Sequence, residues 1–331
     1  MKVSSVTFVS ADDGWVLGQV GGRVRVERTT DGGSRWTPLE TSPPFGPGPS
    51  GAPTGIRFAD LVHGYVFGRD ALDVTSNGGQ SWQQVAIADE DGASDGTGAA
   101  DVEAAGGRVW LLNAAAPYPS IYTATVGSTS FGRVGRAGNR GAFVEVHRSE
   151  AYVVGFEGAG PVPPNLEVAT TAGVSNRQSP CGGIGADQGT SSASGQSAGD
   201  FVGLAPAITP GVLYAVCGGD TTSTTSASFL YRSDSDGRSW TGVTVLHACV
   251  AAALAVTDST AFVACRNGGV RAAPLTSTTS HSVLGSMPVQ YVGFTNDQDG
   301  VAISGVAQSQ AGAGDLYLTR NSGEHWTKAA T

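Results

Sequence analysis

The sequence has few charged side chains and no long apolar run. Charged residues make up 14% of the 331 residues, against about 25% in typical soluble domains. A basic surface supplies most of the affinity for nucleic acid, so the net charge of −9 argues against a nucleic-acid partner. The longest apolar stretches fall short of the roughly 20 residues that cross a bilayer. We therefore expect no membrane span.

Signatures of metal and cofactor sites are also missing. The five histidines show no spacing typical of metal ligands, and no glycine-rich loop precedes a helix as a phosphate site requires. Asp234 begins a stretch similar to a calcium loop, but the twelfth position is Val245 rather than Glu, which excludes an EF-hand. We predict no metal and no cofactor.

The four cysteines contain no C-x-x-C pair, and an even number of this kind fits two disulfides better than a metal site. Cys249 and Cys265 lie in adjacent apolar runs, which favours a bridge across one hairpin. Cys181 and Cys217 would then join a Gly/Ser-rich loop to a strand. Four buried free thiols are the alternative. Disulfides indicate an extracellular or cell-envelope protein. No signal peptide is visible, and we expect any such segment to be absent from this sequence.

Glycine is abundant, and it marks a motif that recurs four times. The copies are Thr29–Trp36 (TTDGGSRW), Thr75–Trp82 (TSNGGQSW), Ser233–Trp240 (SDSDGRSW) and Thr319–Trp326 (TRNSGEHW). A short polar side chain can bond to a backbone N–H two residues on and close a tight turn. Glycine supplies the positive φ that such turns need, and the Trp ring can be buried between strands.

We assign a structural role to the third residue and to the Trp of each copy. The third residue is Asp only once; Asn can still close the turn, and Ser is the weakest substitute. The residues are Asp31, Trp36, Asn77, Trp82, Ser235, Trp240, Asn321 and Trp326.

A second pattern precedes the first. In 6–18, 56–68 and 292–304 an apolar strand and a polar turn are followed by a second apolar strand that begins after Gly. Together the two patterns make four strands, which is one propeller blade. Weaker copies in the middle give seven units at intervals of roughly 40–59 residues, close to known blade periods.

The sequence therefore predicts an all-β, seven-bladed β-propeller with four antiparallel strands per blade and a single domain over 1–331. Six blades is the alternative, if the third and fourth units are one degenerate blade. The predicted blades are 3–40, 54–88, 98–135, 140–180, 199–245, 247–286 and 288–330.

The four motifs resemble Asp boxes, also called BNR repeats, which occur in sialidases and related propellers. The combined pattern more closely resembles propellers of the photosystem-II assembly-factor type. Asp boxes of sialidases lie on the outer edge, away from the active site, so the resemblance implies a structural role for them here.

Sialidase chemistry is poorly supported. The family resemblance would require an arginine triad, announced by an Arg-Ile-Pro motif, and none is present; Arg57 lacks the following Ile-Pro. Glu145 lies in the apolar run 142–147 beside His147, and on an inner strand it could act as a general acid with a raised pKa. It could equally line a wet channel or pair with an Arg. These two residues are the weak catalytic candidates.

The leading hypothesis is an extracellular, non-catalytic binding or scaffold propeller, expected to be a monomer, that recognises a protein or a glycan through one loop-bearing face. The long loops 41–54 and 173–200 and the shorter loops 220–227 and 306–314 suit this role. One alternative is a glycoside hydrolase with an axial active site. The other is a structural module of a larger envelope assembly. The sequence does not identify the partner.

Overall fold

The computed structural model describes residues 1–45, 52–87, 98–113, 118–138, 140–156, 166–181, 201–218, 227–305 and 313–331. These residues form seven sheets of four antiparallel strands each, and the chain is an all-β, seven-bladed β-propeller. The predicted fold class is confirmed, and the six-bladed alternative is wrong. No helix in the described ranges is long and apolar enough to cross a membrane.

Each blade is one contiguous stretch of chain, in which every strand pairs with the next. Blade 1 contains β1 (Lys2–Phe8), β2 (Gly14–Val20), β3 (Arg23–Thr29) and β4 (Thr37–Pro38). Blade 2 contains β5 (Gly55–Phe58), β6 (Gly64–Gly68), β7 (Ala71–Thr75) and β8 (Gln83–Val85). Blade 3 contains β9 (Ala99–Ala105), β10 (Arg108–Asn113), β11 (Ser120–Thr125) and β12 (Gly132–Arg136).

The remaining blades repeat this order. Blade 4 contains β13 (Arg140–His147), β14 (Glu150–Phe156), β15 (Leu166–Thr170) and β16 (Gly173–Arg177). Blade 5 contains β17 (Phe201–Pro206), β18 (Leu213–Cys217), β19 (Ala227–Ser233) and β20 (Thr241–His247). Blade 6 contains β21 (Ala251–Val256), β22 (Thr260–Cys265), β23 (Gly269–Pro274) and β24 (His281–Leu284). Blade 7 contains β25 (Val289–Phe294), β26 (Gly300–Ser304), β27 (Leu316–Thr319) and β28 (Thr327–Lys328).

The chain divides into two compact units. The first comprises Met1–Val153, Glu167–Ser175 and Ala329–Thr331, and the second comprises Val154–Leu166 and Asn176–Lys328. In the first unit the first strands β1, β5, β9 and β13 contact one another in that order, and in the second β17, β21 and β25 do the same. We call these the inner strands.

The second strand of a blade is buried on both of its faces. In β6 all five residues are buried, and because successive side chains of a strand point to opposite faces, they serve two different clusters. Tyr65 and Phe67 pack with side chains of blade 3. Val66 packs with side chains of blade 1, including Trp15. A continuous apolar run in the second strand thus follows from its position between two sheets.

Glycine begins the second strand of blades 1, 2 and 7 because a phenylalanine ring occupies the space that a larger residue's side chain would need. The Phe that ends the first strand lies directly opposite this Gly in the ladder, and a Cβ there would approach the ring to 2.5–2.7 Å. The pairs are Phe8–Gly14, Phe58–Gly64 and Phe294–Gly300.

Both predicted disulfides are present. Cys181 bonds to Cys217 with a Cα–Cα distance of 5.5 Å, and Cys249 bonds to Cys265 with a Cα–Cα distance of 5.1 Å. The second bridge joins Cys249, two residues before β21, to Cys265 at the end of β22, which pairs with β21 in the ladder. The alternative of four free thiols is wrong.

One buried carboxylate has an apolar environment. Asp73, in the middle of β7, is 0% exposed and lies opposite Val66 and Gln84 in the sheet. Within the described part of the chain neither of its carboxylate oxygens has a hydrogen-bond partner. Burial raises the pKa of Asp73 from 3.8 to about 6, since an unpaired charge is costly where water is excluded.

The glycine–phenylalanine contact gives a first prediction. Gly64→Ala should lower the free energy of unfolding by about 1–3 kcal/mol, because the new methyl group must displace the Phe58 ring. Gly242→Ala is the matched control: Gly242 also lies in a strand, and no atom lies within 4 Å of its added Cβ among the residues described. Urea denaturation measures both variants. Equal effects of the two substitutions would contradict the argument.

Asp73 gives a second prediction, on pH. Because its pKa is higher in the folded chain than the ordinary 3.8, the folded state binds the proton more tightly, and stability is lost as pH rises through about 6. Asp73→Asn removes this loss, so the variant should gain roughly 1–3 kcal/mol relative to the parent protein between pH 4 and pH 8.

Unfolding free energies of both proteins across that range provide the measurement. Asp31→Asn is the control, because a hydrogen bond from the Arg35 N–H holds the pKa of Asp31 below its ordinary value of 3.8. The contribution of Asp31 is lost mainly below pH 4, so the difference between this variant and the parent should change little between pH 4 and pH 8. A pH-independent difference between Asp73→Asn and the parent would show that Asp73 does not titrate in this range.

Candidate functional site

The four repeated motifs, here called the turn motifs and numbered 1 to 8 from Ser/Thr to Trp, share one hydrogen-bond pattern. The hydroxyl at position 1 accepts the N–H of the glycine at position 5, over 2.8–3.0 Å. The side chain at position 3 accepts the N–H of position 7, also over 2.8–3.0 Å. Each motif connects the third strand of a blade to the fourth.

This pattern corrects the expected closure of the turn. The side chain at position 3 accepts a hydrogen bond from an N–H four residues on, not two. The bond to the glycine N–H of position 5 is made by the hydroxyl at position 1. Thr29 and Thr75 are buried, so this bond is shielded from water. Ser235 accepts its bond over 2.9 Å, as Asn77 does, because the hydroxyl and the amide oxygen occupy the same place.

The tryptophans of the turn motifs are less buried than expected. Trp36, Trp82, Trp240 and Trp326 are all half-buried, whereas Trp15 and Trp110, on second strands, are 0% exposed. In blades 1, 2 and 7 the Trp ring contacts the Phe ring that ends the first strand, edge to face, with centroids 5.9–6.2 Å apart.

Four titratable side chains meet on inner strands of the first unit. Arg57 of β5 pairs with Glu103 of β9. Asp101, two residues earlier on β9, accepts the Val144 N–H of β13 over 2.9 Å. Glu145 of β13 is close enough for the charges of Glu103 and Asp101 to act on it. We call these four residues the inner-strand cluster.

Burial raises the pKa values of the three acids, and repulsion by neighbouring acids adds to the shift at Glu103 and Glu145. Burial raises the pKa of Glu103 to about 7, against the opposing effect of Arg57. The pKa of Glu145 lies well above its ordinary value because of burial and the charge of Glu103. Burial also raises the pKa of Asp101, although its hydrogen bond to Val144 opposes the shift. One arginine therefore faces three acids, and a carboxylic acid in such a cluster holds a proton near neutral pH.

The sequence pattern indicates Glu145 and His147 as candidates but does not indicate their neighbours in the cluster. His147 is two residues beyond Glu145 on β13, so the two side chains share a face of that strand. Asp101 and Glu103 were missed although they alternate on β9 in the same way. Their role depends on β9 contacting β13, which no local pattern reveals.

A cavity of about 310 Å³ lies in the second unit, where the turns between first and second strands of blades 5, 6 and 7 come together. We call it the hairpin pocket. Its lining residues include Ile208, Val256, Asp258, Phe294, Asn296 and Asp297. Ile208 is 75% exposed, and the Phe294 ring is held by stacking on Phe262, with centroids 4.2 Å apart.

The turns that form this pocket are tied together. The Asp258 N–H donates to Asp297 Oδ1 over 2.8 Å, which joins blade 6 to blade 7. Asn296 Oδ1 accepts the N–H groups of Gln298 and Asp299, each over 2.8 Å. The blade 6 and blade 7 sides of the pocket are therefore joined by a hydrogen bond.

Some sequence predictions fall outside the described residues. These are 182–200 of loop 173–200, 46–51 of loop 41–54, and the greater parts of loops 220–227 and 306–314. The predicted start of loop 173–200 is wrong, because Gly173–Arg177 form strand β16. In the described ranges no group of three or more His, Cys, Asp or Glu side chains is placed to hold a metal ion.

Comparison with known proteins shows the fold alone. No protein-family profile matches the sequence, and no curated protein matches it either. Among solved structures, YCF48 bound to D1 peptide has a TM-score of 0.64 and 16% identity, with 97% of this chain and 93% of that chain covered. The GH74 enzyme of Niastella koreensis has a TM-score of 0.58 and 13% identity; all of this chain is covered but only 59% of the enzyme.

A third similar structure is the β-propeller domain of the Trilobed protease from Pyrococcus furiosus, described as having an open velcro topology. Its TM-score is 0.57 at 8% identity, with 100% of this chain and 98% of that chain covered. These neighbours include a protein bound to a peptide and an enzyme, so the shared fold does not decide between binding and catalysis.

The turn motifs give a third prediction. Thr75→Val keeps the shape of the side chain but removes the acceptor of the Gly79 N–H, and it should lower the free energy of unfolding by about 1–3 kcal/mol because a buried donor loses its partner. Thr209→Val, at an exposed position in a turn of blade 5, should change it by less than about 0.5 kcal/mol. Urea denaturation compares the two, and an equal loss in both would assign no special role to the turn hydroxyl.

Proposed function

We propose that this chain is an extracellular, non-catalytic propeller that binds a polypeptide through a face built from the turns of its blades. The observation that carries the proposal is the hairpin pocket, which turns of three successive blades form together and which leaves Ile208 largely exposed. A large exposed aliphatic side chain beside a preformed cavity is typical of a recognition surface.

Two further observations support it. The two disulfides are consistent with an extracellular protein. YCF48, which has the same fold, is found bound to a peptide. Within this proposal the turn motifs are Asp boxes of the assembly-factor type and the chain is a single monomeric propeller domain over 1–331. The Asp-box residues, among them Asp31, Asn77, Ser235 and Asn321, then hold the scaffold and do not contact the partner.

A glycoside hydrolase is the second candidate, and the inner-strand cluster favours it. Glycosidases use one protonated and one ionised carboxyl group, and a pKa of about 7 for Glu103 next to a raised pKa for Glu145 suits such a pair. The ion pair of Glu103 with Arg57 weighs against it, since it occupies the group that would have to transfer a proton. We therefore rank it below binding.

A display library of random peptides, screened against the immobilised full chain with its disulfides intact, tests the proposal. Selected peptides should bind at least tenfold more weakly to Ile208→Ser than to the parent protein, because a substitution at Ile208 removes apolar contact area next to the cavity. Leu61→Ser, at an exposed aliphatic residue in the corresponding turn of blade 2, is the matched control and should leave binding unchanged.

Hydrolysis assays decide the second candidate. The parent protein should release no sugar from a sialoside or a β-glucan at pH 5 to 8. Hydrolysis that is abolished by Glu145→Gln would overturn the binding proposal in favour of the enzyme. A library that yields no peptide whose binding depends on Ile208 would also contradict it.

A further inference from the structure

The hairpin pocket combines an apolar floor with an acidic edge. The Phe294 ring and the side chain of Val256 form apolar parts of its lining, and Ile208 stands beside them. Phe294 is fixed between Phe262, which stacks on it, and Trp326, which meets it edge to face with centroids 6.2 Å apart. A long flexible side chain could therefore lie along a rigid apolar surface here.

The acidic edge is formed by Asp258 and Asp297. Their carboxyl groups are close, and the charge of Asp297 is the largest cause that raises the pKa of Asp258. No basic side chain among the described residues acts in the opposite direction on Asp258. Arg320, a basic residue of the same blade, forms its ion pair with Asp299, which does not line the pocket.

The charge of Asp297 disfavours ionisation of Asp258, and an added positive charge relieves this repulsion. The volume of about 310 Å³ is at the lower end of ligand pockets, which suits one side chain better than an oligosaccharide. The lysine and arginine side chains combine an apolar stem with a charged end, and so match the floor and the edge together.

We propose that the hairpin pocket binds a lysine or arginine side chain of the polypeptide partner, with the aliphatic stem on Phe294 and Ile208 and the charged group between Asp258 and Asp297. The inference rests on the proposed function for the identity of the partner as a polypeptide. The net charge of −9 adds a long-range attraction for a basic segment.

NMR titration of the full ¹⁵N-labelled chain tests the proposal with Nα-acetyl-lysine N-methylamide as the probe. The amide signals of Asp258 and Asp297 should shift with a single half-saturation concentration. Nα-acetyl-norleucine N-methylamide has the same stem without the charge and should bind at least fivefold more weakly. Sodium chloride at 0.5 M should also weaken the lysine probe, because it screens exposed charges.

Asp297→Asn is the informative variant, because the amide keeps the oxygen that accepts the Asp258 N–H and removes only charge. It should weaken binding of the lysine probe at least fivefold and leave the norleucine probe unchanged. Glu324→Gln, which removes an exposed charge in the turn motif of blade 7, is the matched control and should change neither.

Three results would overturn the inference: equal binding of the two probes, no shift with either, or calcium chloride that shifts the same amides and displaces the lysine probe at equal concentration. The outcome is separable from that of the peptide library. If the selected peptides depend on Ile208 but contain no basic residue, the proposed function stands and the inference that the pocket binds a basic side chain is wrong. If the lysine probe binds while the library yields no peptide, the pocket binds cations and the proposal of a polypeptide partner is wrong.

Discussion

Packing of aromatic rings between adjacent blades is the interaction on which the regular part of the structure depends. The Phe58 ring of blade 2 stacks on Trp15 of blade 1 with centroids 3.7 Å apart, and it also meets Trp82 of its own blade edge to face. To lie there it must cross the start of β6, which only Gly64 permits. Phe294 of blade 7 has the same arrangement with Phe262 of blade 6 and with Gly300. One Phe ring therefore sets the spacing between two sheets. The same ring requires glycine as the first residue of the second strand.

The same contacts position the turns. Trp15 Nε1 donates to the Gly78 carbonyl of the turn motif in blade 2 over 3.2 Å, so a core residue of one blade holds a turn of the next. The turns between first and second strands are linked in a similar way, for example by the bond from the Asp258 N–H to Asp297. Variable side chains can be placed on turns of this kind without loss of the fold, because the turns are held by backbone and hydroxyl groups.

Local patterns predicted the blades well, because every blade is contiguous in sequence and repeats the same order of strands. They also predicted the two disulfides.

Local patterns failed where a property depends on elements that are distant in the chain. The half-burial of Trp36 depends on what packs around its ring, which the motif does not encode. The inner-strand cluster requires β5, β9 and β13 to be neighbours, and the hairpin pocket requires three turns that are about 40 to 50 residues apart in sequence. Glu145 was found because an acid in an apolar run is conspicuous, whereas Asp101 and Glu103 were not, because alternation of acidic and apolar residues is ordinary for a half-exposed strand.

Two groups of carboxylates differ in how their charge is balanced, and this difference separates the two candidate functions. In the inner-strand cluster Arg57 pairs with Glu103, and burial raises the pKa values of the three acids. The cluster is thus largely neutralised from within, as expected for a group that stabilises contacts between inner strands. At the hairpin pocket Asp258 and Asp297 are exposed to solvent, and no basic residue of the described chain offsets the effect of the Asp297 charge on Asp258. A charge that the protein leaves unbalanced at an open cavity favours an external cation, and so the geometry supports recognition at the turns more strongly than catalysis between the inner strands.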